Sequence, residues 1–190
     1  MALFGTVGVE GPLIDGRGVY LRVPSGADYA EWAQLRSASR NFLRPWEPTW
    51  AADELSRNAF RRRLRHYQKE LRDETGYALF VFRSNDHRLA GGLTISNVRR
   101  GVTMSGTIGY WMGEHFAGSG LMTEAVRAVL PFMFKTLNLH RAEAACLPRN
   151  LASIRVLEKA GFQQEGFARR FLRIDGQWQD HVLYARLADD

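Results

Sequence analysis

Stretches of two-residue alternation and stretches of helical period succeed one another along this chain, and their order outlines a fold before any chemistry is considered. Gly18-Val19-Tyr20-Leu21-Arg22-Val23 alternates apolar and polar residues up to Pro24 and predicts a first strand. Ser25 and Asp28 stand at capping-box spacing and open a helix predicted over 25–39. A loop rich in Pro and Trp, 41–48, leads to a second predicted helix over 53–72. The period then shortens to two. Segments 77–82 and 89–96 flank the turn-rich Ser84-Asn85-Asp86-His87 as a hairpin, and 103–111 follows as the next strand. A helix over 120–137, a strand over 140–146 and a helix over 150–160 come next. Segments 171–174 and 178–186 then pair across Asp175-Gly176, a two-residue turn signal. This succession predicts a mixed α/β sheet rather than a uniform βαβ series. Pro131, inside the central helix, lacks an N–H and should remove one hydrogen bond and bend it.

Composition narrows the class. With 190 residues, 45% of them hydrophobic and 24% charged, the chain suits one domain over 1–190 and excludes disordered, collagen-like and coiled-coil proteins. No run approaches the roughly 18 apolar residues of a membrane span. Residues 1–10 lack the basic start of a signal peptide, so a cytoplasmic protein is expected. One cysteine, Cys146, excludes an internal disulfide framework and a cysteine-based zinc cluster, and no metal is expected. The net charge of +6 is carried almost wholly by arginine, since lysine stands only at 69, 135 and 159. Guanidinium pairs bidentately with phosphate, which points to nucleic acid, a ribosomal surface or a nucleotide cofactor. A genome that favours arginine codons produces the same balance. The run Arg61, Arg62, Arg63, Arg65 with His66 is too densely charged to be buried: it reads as a solvated helix face, or as a contact to ribosomal RNA.

The segment richest in chemistry is 108–125, where a strand enters a glycine-bearing loop and passes straight into a helix. Gly118 and Gly120 let successive backbone N–H groups converge at the helix start, where unpaired donors and the helix dipole favour a phosphate. The absence of a following Gly-Lys-Ser/Thr excludes a Walker A loop, and Thr123 replaces the third glycine of a dinucleotide fingerprint. Two glycines also serve plain backbone geometry, so the segment alone leaves both readings open. A second helix opens at Asn150, presents Ser153 one turn later and closes at Gly161.

Together these segments resemble the GNAT family of acetyl-CoA-dependent N-acetyltransferases. The resemblance rests on His115 to Gly120 followed by Met122-Thr123-Glu124-Ala125, and on the Asn150-x-x-Ser153 helix ending Lys159-Ala160-Gly161-Phe162. Segments 42–48, 96–101 and 174–182 resemble those of the RimJ branch, the ribosomal-protein-alanine N-acetyltransferases. The resemblance implies a mostly antiparallel sheet with strands 103–111 and 140–146 splayed apart and acetyl-CoA lying in the V. It implies pyrophosphate on the N–H groups of Phe116, Ala117, Gly118, Ser119, Gly120, Leu121 and Met122, with pantetheine along Trp111 and Met112 and against Asn150. The family loop usually opens with Gln or Arg; His115 is the departure here, and as a neutral imidazole it makes a weaker phosphate contact. Direct attack of a neutral amine on the thioester needs an oxyanion donor, for which the Met112 N–H is the candidate, and an acid for the thiolate, for which Ser153 is. For the base, the two carboxylates nearest the motifs are Glu47 and Glu165. The Asp180–His181 pair lies on the last hairpin, and Tyr110 and Trp111 line either the acceptor mouth or the core. The implied acceptor is the N-terminal α-amine of a ribosomal protein. A small-molecule amine acetyltransferase and a non-catalytic ribosome-associated protein are the competing readings.

Overall fold

The computed structural model describes residues 11–190, so the reading of residues 1–10 lies outside it. Eight strands form one sheet in the order β1-β2-β3-β4-β5-β6-β8-β7. They are β1 (Leu13–Gly16), β2 (Val19–Arg22), β3 (Tyr77–Arg83), β4 (Leu89–Arg99), β5 (Ser105–Met112), β6 (Arg141–Cys146), β7 (Gln163–Ile174) and β8 (Gln177–Leu187). Every neighbouring pair is antiparallel except β5 and β6. The mixed, mostly antiparallel sheet expected from the sequence is the fold observed.

Both faces of the sheet are covered at its centre. Helices α4 (Leu121–Pro131) and α5 (Leu151–Lys159) lie over one face, where Leu79, Val81, Leu93 and Ile108 pack with Val126, Val129 and Leu157. Helices α1 (Tyr29–Ala38) and α3 (Arg57–Arg72) cover the other, where Phe80 and Phe82 meet Trp32 and Phe60. Alternate residues of β3 therefore go to different cores, which is why Tyr77 to Phe82 is buried without a break. The short α2 (Arg40–Leu43) follows α1 and leads into the loop at Pro45 and Trp46.

Several boundaries differ from the sequence reading, each for a physical reason. Strand β1 was not predicted; four residues, only one of them fully buried, carry too little alternation. The Asp28 carboxylate accepts from the Ser25 N–H at 2.6 Å and from Arg22, so the first turn is 3₁₀ and α1 starts only at Tyr29. Helix α3 starts at Arg57 because Ser56 caps it, accepting from the Ala59 N–H at 3.1 Å. Asp53 and Glu54 stand ahead of that cap and pair with Arg62 and Arg63. Strand β7 begins at Gln163, eight residues before the predicted 171, since an exposed edge strand with two register shifts has no apolar alternation to read. The turn at Asp175-Gly176, with φ of 43° and 80°, is the two-residue hairpin loop expected. At Pro131 the correction is subtler. Helix α4 ends there and a π-helical turn, Phe132–Thr136, takes over, with Leu137 N–H donating to the Phe132 carbonyl at 2.9 Å. Pro131 therefore marks a change of helix type, not an interruption inside one continuous α-helix.

Candidate active site

Strands β5 and β6 stay in register for three residues only, Ser105↔Arg141 to Thr107↔Glu143, and then diverge. The Gly113 N–H donates to the Ala90 carbonyl at 2.8 Å, so strand alternation turns the backbone of Tyr110 and Met112 away from β4 and toward the opening. A cleft of about 540 Å³ fills this V. The Met112 N–H thus faces the cleft at the point where β5 ends.

At one end of the cleft the chain leaves β5 through a 3₁₀ turn, Glu114–Phe116, and enters α4. The loop is anchored from the other face of the sheet: the Ser39 hydroxyl accepts from the Glu114 N–H at 2.9 Å, and Leu35 packs so tightly on Gly113 that a Cβ there would come within 2.4 Å of it. Gly118 and Gly120 have φ of 75° and 83°, and nothing lies within 4 Å of where their Cβ atoms would be. Packing therefore does not demand glycine here; the backbone conformation and the open space above it do. Among the described residues no acceptor is found for the N–H groups of Gly118, Ser119, Gly120, Leu121, Met122 or Thr123. A row of free N–H groups at a helix N-terminus beneath open space fits a pyrophosphate. Phe116, Ala117, Gly118, Gly120, Leu121 and Met122 line the cleft, as do Trp111 and Met112. His115 is exposed, and neither it nor Ser119, whose hydroxyl donates to the Phe116 carbonyl at 2.5 Å, is part of the lining.

Helix α5 brings a hydroxyl to the throat of the V. Asn150 caps the helix by accepting from the Ser153 N–H at 3.1 Å, which fixes Ser153 one turn in. The Ser153 hydroxyl lies 2.8 Å from the phenol oxygen of Tyr110 on β5. Burial pushes the Tyr110 phenol far above its ordinary range, outweighing the opposing hydrogen bond to Ser153, so it stays protonated and can donate. Burial also raises the Cys146 thiol, outweighing the opposing influence of the nearby Ser153 hydroxyl. Ser153 is therefore bracketed by two neutral protic groups across the splayed strands. Tyr110 is lining rather than plain core, and its link to Ser153 was not read from the sequence.

The opposite side of the cleft is built by α1, the 41–48 loop and the β7–β8 hairpin. Arg36 is buried, donates to both carboxylate oxygens of Glu47 at 2.6 and 2.8 Å, and lies between the rings of Trp50 and Trp111 at 4.4 and 4.8 Å. The Trp50 indole N–H donates to the same Glu47 carboxylate at 2.8 Å. Glu47 lines the cleft, and its backbone carbonyl accepts from the Asp175 N–H at 2.9 Å, which ties the loop to the hairpin. Glu165, the other carboxylate singled out in the sequence, is half exposed and paired with Arg141 at the closed end of the V, away from the lining. The Arg141 guanidinium holds it below its ordinary value. Asp180 and His181 do not form a pair: the Asp180 carboxylate accepts from the Arg170 N–H at 2.8 Å, while His181 is buried and lines the cleft. His181, singled out beside Asp180, thus enters the cleft without it, and Arg36, which holds Glu47 from behind, is the residue that the sequence does not single out. The one signal for Arg36 is its position one turn after Trp32 on the buried side of α1.

Comparison with known proteins agrees with this geometry. Residues 19–163 match the family model described as acetyltransferase (GNAT) domain. The chain is 38% identical over 178 residues to the probable N-acetyltransferase YjcK of Bacillus subtilis, covering 94% of this chain and 98% of that one. It is 32% identical over 170 residues to the [ribosomal protein uS5]-alanine N-acetyltransferase of Escherichia coli, covering 90% and 88%. Among solved structures, RimJ of Mycobacterium smegmatis in complex with CoA-disulfide superposes with a TM-score of 0.86 at 32% identity, covering 94% of this chain and 87% of that one. A splayed β5–β6 pair, a cradle of free N–H groups and a match over most of the chain converge on one assignment: this protein is an acetyltransferase of the GNAT family, with relatives among the RimJ-type ribosomal-protein-alanine N-acetyltransferases.

Proposed function

We propose that this chain transfers the acetyl group of acetyl-CoA to the N-terminal α-amine of a protein, a ribosomal protein beginning with alanine or another small residue. The observation that carries the reading is the 32% identity, over 90% of the chain, to an enzyme named for acetylating an alanine of ribosomal protein uS5. The reading treats 1–190 as one catalytic domain working in the cytoplasm. Acetyl-CoA supplies an activated acetyl thioester. The N–H groups from Gly118 to Met122 hold its pyrophosphate, while those of Phe116 and Ala117, expected to join them, donate instead to the Gly113 and Glu114 carbonyls. The β5 backbone at Trp111 and Met112 with Asn150 holds its pantetheine arm, and the Met112 N–H stabilises charge on the carbonyl oxygen. Ser153 donates the proton that the departing sulfur takes up, and the Tyr110 hydroxyl beside it replenishes that proton.

Acid–base chemistry favours the α-amine. At pH 7 roughly a tenth of α-amino groups are neutral, against well under a thousandth of lysine side chains. The gap costs a lysine acceptor about 3–4 kcal/mol. A small first residue suits a mouth lined by Trp46 and Trp111. The test compares kcat/KM for an Ala-initiated peptide with that for the same peptide blocked at its N-terminus and carrying an internal lysine. The free peptide should win by at least a hundredfold. Equal rates would overturn the α-amine assignment, and reaction of a small amine but neither peptide would move the acceptor to that class.

A further inference from the structure

Acetyl transfer needs a group to take the proton that the acceptor nitrogen loses, and we infer that it is the Nε2 of His181. The inference rests on the amine-acetylating function proposed above. The His181 Nδ1 lies 2.9 Å from the Gln179 carbonyl oxygen. A carbonyl can only accept, so Nδ1 carries the hydrogen and Nε2 of the neutral ring is left with a lone pair. Among the described residues Nε2 makes no hydrogen bond, yet it is not one of the buried side-chain atoms sealed off without a partner; it meets the cleft that His181 lines. With 2% of the residue exposed and the ring edge-on to Phe171 at 5.8 Å, that lone pair has one orientation.

The register of the sheet puts this base on the side opposite the proton donor. Val182 pairs with Cys146 and packs with it in the core beneath α4 and α5, so the preceding His181 points to the other face of the sheet, where it lines the cleft that Glu47 and Trp46 also line. A nitrogen entering from that face has His181 behind it and the thioester ahead. The other candidates are committed: both Glu47 oxygens accept from Arg36, Asp180 accepts from the Arg170 N–H, and Glu165 pairs with Arg141 at the closed end of the V. As the N–C bond forms, His181 Nε2 takes one proton from the nitrogen. As the C–S bond breaks, the sulfur takes one from Ser153. His181 then releases its proton to water and Ser153 regains one through Tyr110, so nothing is gained or lost beyond the acetyl group.

The experiment measures His181→Ala and His181→Asn on the acceptor that the wild type turns over, from a panel of the Ala-initiated peptide and small amines. Asparagine keeps a donor for the Gln179 carbonyl but offers no base. Both variants should lose about a hundredfold or more in kcat/KM for the acceptor, with acetyl-CoA affinity within twofold of wild type. Free imidazole should restore part of the rate to His181→Ala and do nothing for Ser153→Ala. Activity of either variant within threefold of wild type, or a loss that asparagine repairs and imidazole does not, overturns the inference while leaving the acetylation function standing. A wild type that acetylates no amine on the panel overturns both.

Discussion

Single polar atoms divide this site by what each already holds. The carboxylate of Glu47 is saturated by Arg36 and Trp50, so it braces the mouth. Removing either partner would strand the other, a loss that buried pairs typically register as about 3–5 kcal/mol. The Ser153 hydroxyl is different, because its neighbours Tyr110 and Cys146 are both neutral and one of them can resupply a proton. Ser153→Ala should lower kcat about a hundredfold while leaving acetyl-CoA affinity unchanged, read by single-turnover kinetics beside calorimetry. A wild-type rate under conditions where chemistry is limiting would remove Ser153 from the mechanism. Ser153 was legible because it follows a helix-capping Asn150 by one turn. Arg36 was not, since its burial is decided by two tryptophans and a glutamate from elsewhere in the chain.

Helix α4 and its entry loop offer the cleft a row of free backbone N–H groups. The two glycines have space above them and positive φ, so a side chain at 120 would meet no protein atom but would strain the loop and occupy the space over the free N–H groups. Gly120→Val should therefore keep the fold and weaken acetyl-CoA at least tenfold by calorimetry; an unchanged affinity would exclude the cradle. The local strain, about 1–2 kcal/mol, is small against the stability of a domain. This element was readable from sequence because strand, glycine loop and helix are contiguous. The π-helical turn after Pro131 was not, since a missing N–H does not by itself specify which kind of turn follows it.

Across the whole molecule, one sheet separates two approaches to the cleft, the α4–α5 side with the cradle and Ser153, and the α1–loop–hairpin side with Arg36, Glu47 and His181. On the second side α3 presents a basic face. Arg62 and Arg63 are neutralised by Asp53 and Glu54, whereas no ion pair is found for Arg61 and Arg65 among the described residues. If that face meets ribosomal RNA, co-sedimentation with ribosomes should fall when salt is raised and should fall further for Arg61→Glu with Arg65→Glu. Pelleting indifferent to both would leave α3 a solvated face. The sequence by itself determined the order of the longer helices and of the strands after β1, the two glycines at the head of α4, the capped start of α5 and the hairpin turn at Asp175-Gly176. Each is written in neighbouring residues, through period, caps and backbone freedom. Only the tertiary structure decided that Tyr110 reaches Ser153, 43 residues away, and that Arg36 grips Glu47. It also decided that His181 turns toward the cleft while Asp180 turns away. These relations depend on strand register and on where β5 and β6 stop pairing, and pairing between distant segments leaves no trace in local periodicity.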